Sequence, residues 1–266
     1  MNHRTTLTTR LHRRPPGLWD VRSDLLHFAL INYTLPKSRL ESHIPADRFL
    51  IPEFDIGGQK LALMSAVPFV DSDFRFVRLA PWLKFYFGQT NYRVYVIDRQ
   101  TGEHGVWFFG TTLGSRLVHP AQWLWRIPWH YARYKMDCVY DAAAARYTHF
   151  TYQSTCAWAS SEIDIEDAGQ PVSLQAGFTT MDEQTLILTH PVAGFYYRSN
   201  GQPGSYSIWH EEMKLTEARP RHLYFSLYER LGLLTRQEMQ NPHSIFICPR
   251  ITFDVHLPPK KLSNRS

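Results

Sequence analysis

The chain has 266 residues, of which 44% are hydrophobic and 20% are charged. This composition excludes disordered and fibrous proteins and is ordinary for a globular protein with a sizeable core. The formal net charge of +5 lies at the two ends. Residues 1–22 carry five arginines against Asp20, and residues 259–266 carry three basic residues, which leaves about −2 for residues 23–258.

This distribution predicts a flexible basic N-terminal segment over residues 1–22, a single domain over 23–258 and a basic C-terminal tail over 259–266. Because the central domain is slightly acidic, we expect no nucleic-acid partner. No apolar run is long enough to span a membrane, and no signal peptide precedes Leu25, so we expect no membrane association and a cytoplasmic location. The three cysteines include no CxxC pair, which indicates reduced thiols.

Apolar and alternating runs predict strands along most of the chain. In chain order the predicted strands are His27–Leu35, Phe49–Phe54, Lys60–Phe69, Phe74–Leu79, Tyr86–Ile97, Glu103–Thr111, Tyr134–Tyr140, Ala145–Gln153, Cys156–Ile165, Tyr206–Leu215 and His243–Leu257. The predicted helices are Pro36–His43, Pro120–Trp129 and the leucine-rich Arg221–Leu234, and Met181–Leu188 fits either a helix or a strand. This pattern predicts a predominantly antiparallel α+β domain that curls into a barrel or stacked sheets.

The segment Gln89–Val96 carries the most informative pattern. Successive side chains of a strand face opposite sides, so an apolar face alternates with a polar one. The polar face consists of Gln89, Asn91, Arg93 and Tyr95. Such a face is suited to line a cavity, and a guanidinium in a cavity suits a carboxylate ligand. The alternative is that Arg93 pairs with an internal Asp or Glu.

A second candidate face contains Arg133 and Lys135, which alternation places together with Tyr131. A lysine buried among aromatic rings can have a lowered pKa and form a Schiff base. On a solvent-exposed face, Lys135 would instead extend its charged end into water. The sequence leaves both interpretations open.

The segment Trp209-His210-Glu211-Glu212-Met213-Lys214 is similar to a zinc-protease HExxH motif, but Lys214 occupies the place of the second histidine. Without three convergent ligands, no metal site is predicted. On a strand, His210 and Glu212 would share a face and could form a hydrogen-bonded pair or part of a pocket. No phosphate-binding loop, dinucleotide fingerprint or nucleophile elbow is present, so we expect no cofactor.

Several segments in the same order resemble the YqjF-like family of uncharacterised conserved bacterial proteins, which is grouped with the acetoacetate decarboxylase-like superfamily. The segments that carry the resemblance are Asn91–Val96, Gly105–Phe109, Ile127–Trp129 with Ala132–Arg133, Gly57–Phe69, and the regions of His210 and His243. The resemblance spans roughly residues 25–258. It implies a cone-shaped, mostly antiparallel β-barrel with a central cavity and a few inserted helices, and no established activity.

The resemblance also bears on chemistry. Acetoacetate decarboxylase uses a Schiff-base lysine activated by an adjacent lysine. The only adjacent lysines here are Lys260 and Lys261, in the predicted tail, and Gln89 stands where family members often have a glutamate. These departures argue against decarboxylation through an imine.

We therefore predict a protein that binds a small, anionic, carboxylate-bearing molecule in a barrel cavity. The predicted ligand-binding residues are Gln89, Asn91, Arg93, Tyr95, Arg133 and His210. The alternative is an enzyme of the decarboxylase-like superfamily that acts on a keto acid or related carbonyl compound, with Lys135 as the candidate amine. A third hypothesis is a protein-interaction or nucleic-acid scaffold that acts through its basic ends. A homo-oligomer is compatible with the sequence, which does not define the oligomeric state.

Overall fold

A computed structural model describes residues 3–262, and within them most of the chain forms β-strands. The strands are β1 (Val21–Leu35), β2 (Phe49–Leu50), β3 (Glu53–Ile56), β4 (Gln59–Phe76), β5 (Phe85–Asp98), β6 (His104–Leu113), β7 (Trp129–Tyr131), β8 (Arg133–Asp141), β9 (Arg146–Thr155), β10 (Ser161–Pro171), β11 (Ala193–Tyr197), β12 (Pro203–His210), β13 (Thr216–Phe225) and β14 (Ser244–Lys261). The helices are α1 (His3–Arg10), α2 (Val118–Trp125), α3 (Met181–Gln184), α4 (Ser226–Arg230) and α5 (Arg236–Met239), with a π-helical turn at Thr185–Thr189 and 3-10 turns at Lys37–Arg39 and Glu41–His43. None of these helices has both the length and the apolar character needed to cross a membrane.

Seven strands form a closed barrel. They follow the order β1-β4-β5-β6-β11-β12-β14, and β14 pairs back with β1. Every neighbouring pair is antiparallel except β6 and β11, which run parallel. The barrel confirms the predicted fold class.

A second layer covers part of the barrel. It continues from β14 through β13, β10 and β9 to β8. Its apolar side chains, such as Tyr152 and Phe225, form one core with Tyr92 and Val94 of β5. A separate apolar cluster lies inside the barrel. Strand β5 therefore has one face in the core between the layers and the other toward the barrel interior.

The predicted helix Arg221–Leu234 is wrong in its first part, because residues 216–225 form β13 and α4 begins only at Ser226. Leu223 is fully buried and pairs with Ile163 of β10. Its helical spacing from Leu227 is a coincidence, since one leucine is buried by a strand and the other by the short helix that follows. Pairing with neighbouring strands of the sheet therefore overrides the helical spacing of the leucines in this segment.

Residues 3–22, the described part of the predicted basic N-terminal segment, contact the rest of the structure. Helix α1 buries Leu7, which is 2% exposed. Arg13 and Arg22 each form a 2.8 Å ion pair with Asp254 of β14. The basic residues of this segment therefore dock it on the barrel.

The predicted C-terminal tail is in part a strand. Lys260 and Lys261 extend β14 and pair with Ser205 and Gly204 of β12. Residues 263–266, like residues 1–2, lie outside the described part of the chain.

Candidate ligand-binding site

The barrel interior holds a cavity of about 100 Å³. Its walls are mostly apolar and aromatic, and include Phe28, Val67, Phe69, Phe108, Trp129 and Phe253. Among the described residues that line it, two are charged, Arg93 and Asp71, and two are amides, Gln89 and Asn91. A largely apolar cavity with a few polar groups is typical of small-molecule sites.

Burial of the opposite face of β5 turns its polar residues inward. Tyr92 and Val94 are fully buried in the core between the layers. Alternation along the strand then places Gln89, Asn91 and Arg93 on the cavity wall. Three of the six predicted binding residues are therefore found together at the cavity.

Arg93 is held firmly but has no counter-ion. Its side chain is largely buried, its Nε donates to Ser65 Oγ at 2.9 Å, and one terminal nitrogen lies 3.4 Å from the carbonyl oxygen of Leu188. Within residues 3–262 it forms no ion pair, so the predicted alternative of an internal Asp or Glu partner is not found. A buried guanidinium without an anion is unfavourable, and an anionic ligand would relieve that cost.

The two amides form a chain beside Arg93. Asn91 Oδ1 accepts hydrogen bonds from Gln89 Nε2 at 3.0 Å and from Thr111 Oγ1 at 2.8 Å. The oxygen of Asn91 is therefore fully engaged, which leaves its amide nitrogen to donate to a molecule in the cavity. Asn91 and Arg93 thus offer hydrogen-bond donors to the same space.

Tyr95 lies behind the cavity rather than on its wall. It is 2% exposed, and its hydroxyl donates to Asn32 Oδ1 at 2.9 Å. The same hydroxyl is 3.2 Å from the carbonyl oxygen of Leu188, which is also an acceptor for Arg93. The structure thus places Tyr95 as a support for the Arg93 environment.

His210 also lies one layer behind the wall. Its ring stacks on Phe253, a cavity residue, at 4.4 Å and contacts the ring of His190 at 4.3 Å. Burial lowers the pKa of His210 to about 3 and, in the same way, that of His190 to about 4, so both rings are neutral near pH 7. The expected pairing with Glu212 is not found, because Glu212 is exposed beyond the end of β12.

Arg133 and Lys135 lie away from the cavity. Both are exposed on β8 in the outer layer, while the alternate residues Tyr134 and Met136 pack against the core. The predicted alternation is correct, but the face that carries Arg133 and Lys135 is turned to solvent. None of the seven lysines of the chain lines the cavity.

Asp71 is a site residue that the sequence reasoning missed. It lies in β4 on the cavity wall, is 3% exposed, and its Oδ2 has no hydrogen-bond partner among the described residues. Burial raises the pKa of Asp71 to about 7, and the neighbouring Ser23 hydroxyl opposes that rise. The signal available in the sequence was a carboxylate directly after the apolar run Leu61–Val70.

Within residues 3–262, no group of three or more His, Cys, Asp or Glu side chains is arranged to hold a metal ion. Cys138, Cys156 and Cys248 are all free thiols.

Residues 22–252 match the family DUF2071, described as "Uncharacterized conserved protein (COG2071)". The match covers most of the chain, and the protein belongs to this family. No curated protein matches the chain in sequence.

Solved structures with the same architecture are acetoacetate decarboxylase-like proteins. The acetoacetate decarboxylase from Legionella pneumophila subsp. pneumophila str. Philadelphia 1 has a TM-score of 0.57 at 13% identity, over 95% of this chain and 90% of that one. An acetoacetate decarboxylase-like enzyme from Sphingomonas wittichii RW1 has a TM-score of 0.55 at 8% identity, over 93% and 94%. The enduracididine biosynthesis enzyme MppR complexed with pyruvate has a TM-score of 0.53 at 10% identity, over 97% and 95%. At these identities the likeness establishes the fold.

Proposed function

We propose that the protein binds a small carboxylate-bearing molecule in the barrel cavity and that Arg93 holds the carboxylate. One observation carries this proposal: Arg93 is a largely buried cation on the cavity wall without a carboxylate partner within residues 3–262. An incoming carboxylate would supply the missing anion and form charge-assisted hydrogen bonds with the guanidinium.

The surroundings of Arg93 favour an anion over other ligands. The hydrogen bond to Ser65 fixes the guanidinium, so less conformational freedom is lost on binding. The free amide nitrogen of Asn91 adds a second donor. Low polarity in the cavity strengthens each of these contacts compared with water.

The remaining wall defines the rest of the ligand. Phe69, Phe108 and Trp129 present apolar surface around the polar end. Burial of apolar ligand surface contributes about 25 cal/mol per Å² before the costs of association. We therefore expect a carboxylate that carries an apolar body. The pyruvate complex of MppR supports the idea that a barrel of this fold can accommodate a small carboxylate.

Calorimetric titration tests the proposal, with hexanoate and phenylacetate as probes and their uncharged amides as matched controls. Wild type should bind each acid more tightly than its amide. Arg93→Met should weaken acid binding by about 10-fold to about 100-fold, the range expected for hydrogen bonds to a charged group.

Arg133→Met is the matched control, because it removes an exposed arginine from the outer layer. It should bind the acids as wild type does. Equal affinity for acid and amide, or an Arg93→Met variant that folds and binds acids normally, would overturn the proposal.

A second candidate function is catalysis on a keto acid or related carbonyl compound. It is favoured by the enzymes among the solved structures that share the fold. In this chain, however, the seven lysines lie outside the cavity lining, and the candidate amine of Lys135 is exposed to solvent. A reaction through an imine would therefore have no lysine in the cavity to form it.

A further inference from the structure

We propose that Asp71 forms a second polar subsite of the cavity and that the ligand carries a basic group, such as a primary ammonium, at the end opposite its carboxylate. This inference rests on the proposed function, since it assumes that Arg93 holds the carboxylate. It extends that function from a carboxylate to a ligand with two charged ends.

The hydrogen bonding of Asp71 sets it apart from the other buried aspartates. Within residues 3–262, five aspartates are buried. Asp98 forms two hydrogen bonds with Arg48, Asp254 is held by two arginines, and Asp20 and Asp167 accept from backbone N–H groups. Asp71 alone among these five has a buried carboxyl oxygen without a partner. Its unused acceptor belongs to a residue on the cavity wall.

A cationic group is the ligand chemistry that best fits this oxygen. A buried carboxyl group is stabilised in its charged form by an opposite charge and by hydrogen bonds to its oxygens. An ammonium supplies both, with three N–H donors on one charge. On the neighbouring strand β1, Asp71 pairs with Leu25 and lies beside Ser23, and neither of these residues carries a charge.

Strand register separates the two charged residues along the barrel. Asp71 pairs with Phe87 and Ser65 pairs with Arg93, without a bulge between these pairs. Phe87 and Arg93 are six residues apart, which corresponds to roughly 20 Å of strand at about 3.3 Å per residue. The two side chains form no ion pair with each other, so the cavity has a positive region and a negative one.

Between these regions, β4 presents the apolar side chains of Val67 and Phe69 to the cavity, while the paired positions of β5 present the amides Asn91 and Gln89. An α-amino acid holds its ammonium and carboxylate on one carbon and could not reach both regions. A linear ω-amino acid, with its charges at the two ends of an alkyl chain, matches the separation of the positive and negative regions.

Calorimetry with two matched series of linear compounds tests this inference: ω-amino acids and alkanoates. Chain lengths from about six to about twelve carbons are shorter than the separation of the two strand positions, because the side chains of Arg93 and Asp71 both reach into the cavity. For at least one length, wild type should bind the ω-amino acid about 10-fold or more tightly than the alkanoate of equal length. In Asp71→Asn this preference should disappear, whereas the exposed Asp55→Asn should keep it.

The wild-type comparison does not depend on the folding of any variant. If alkanoates bind in an Arg93-dependent way and the ω-amino acids bind no more tightly, the Asp71 subsite is refuted and the proposed function stands. Retention of the preference in Asp71→Asn would equally refute the subsite. If neither class binds, both proposals fail.

Discussion

Arg93 and Ser65 face each other across the paired strands β4 and β5, and the Nε of Arg93 donates to the hydroxyl of Ser65 at 2.9 Å. Ser65 is fully buried, and its backbone carbonyl accepts from the hydroxyl of Tyr228 at 2.7 Å. The backbone of the residue that orients the guanidinium is therefore itself held by a second buried contact.

Ser65→Ala should weaken binding of hexanoate by about threefold to about tenfold, as expected for one lost hydrogen bond of about 0.5–1.5 kcal/mol. The ratio of acid to amide affinity should fall with it, because the guanidinium loses its fixed orientation. Ser154→Ala is the control, since Ser154 is also buried and its hydroxyl bonds to that of Ser161 in the outer layer. Unchanged selectivity in Ser65→Ala would show that Ser65 does not position Arg93.

Asp71→Asn should stabilise the protein more at pH 8 than at pH 5. The pKa of Asp71 is about 7 in the folded state against an ordinary 3.8, so the folded protein binds this proton more tightly than the unfolded chain does. The corresponding stabilisation is complete below about pH 4 and is lost as the pH rises through about 7, and its upper limit is about 4 kcal/mol. Urea unfolding of both proteins from pH 4 to pH 8 measures the difference. If the stability difference between Asp71→Asn and wild type does not change with pH, the raised pKa of Asp71 is contradicted. The control is the exposed Asp55→Asn, for which we expect no such pH-dependent difference.

His210→Phe should make the protein less sensitive to acid. The pKa of the buried imidazole is about 3, well below the ordinary 6.5, so its contribution to stability is present above about pH 6.5 and is lost as the pH falls toward 3. At pH 5 this loss amounts to at most about 2 kcal/mol. Phenylalanine keeps a ring between His190 and Phe253 but cannot titrate. The slope of unfolding free energy against pH between 4 and 6.5 should decrease, whereas the exposed His119→Phe should leave it as in wild type.

Asp254→Asn should release the N-terminal segment from the barrel. The carboxylate is almost fully buried and holds Arg13 and Arg22 at once. Because both arginines are partly exposed, we expect a loss of about 1–3 kcal/mol in unfolding free energy, below the range for fully buried pairs. Limited trypsin digestion near Arg13 should become faster. Glu166→Gln, which breaks an exposed pair with Arg221, should change stability by less than about 1 kcal/mol.

Treatment with pyruvate and borohydride should leave every lysine without a specific adduct. Lys135 is exposed on β8, outside the cavity lining, so its amine faces solvent. Peptide mass mapping gives the readout, and Lys135→Arg serves as the matched variant. A stoichiometric reduced adduct at Lys135 that is lost in Lys135→Arg would favour the enzyme hypothesis over simple binding.

The sequence predicts the parts of the site that depend on strand alternation. The period of two in Gln89–Val96 correctly separates the cavity face of β5 from its core face. The same rule correctly groups Arg133 with Lys135, but alternation does not say which face is turned inward. Which face of β8 is buried depends on how the outer layer packs on the barrel. In the structure this packing leaves Arg133 and Lys135 exposed to solvent.

Other features of the fold and the site cannot be predicted from the local sequence pattern. Asp71 precedes Ser72 and Asp73, so it is easily taken for the start of a turn, whereas pairing of β4 with β1 and β5 extends the strand to Phe76. The strand at Thr216–Phe225 is likewise fixed by pairing with β10 and β14, which are distant in the sequence. The buried contact between His190 and His210 also depends on tertiary packing.

Strand β14 belongs to the barrel and to the outer layer at once. Its residue Ile247 pairs with Ala29 of β1 on one side and with Thr216 of β13 on the other, and Phe253 pairs with His210 of β12. The barrel cannot open along β14 without detaching the layer that covers it. The two layers therefore form one cooperative unit, and a molecule bound at Arg93 would protect the backbone amides of the outer layer from exchange as well as those of the cavity wall.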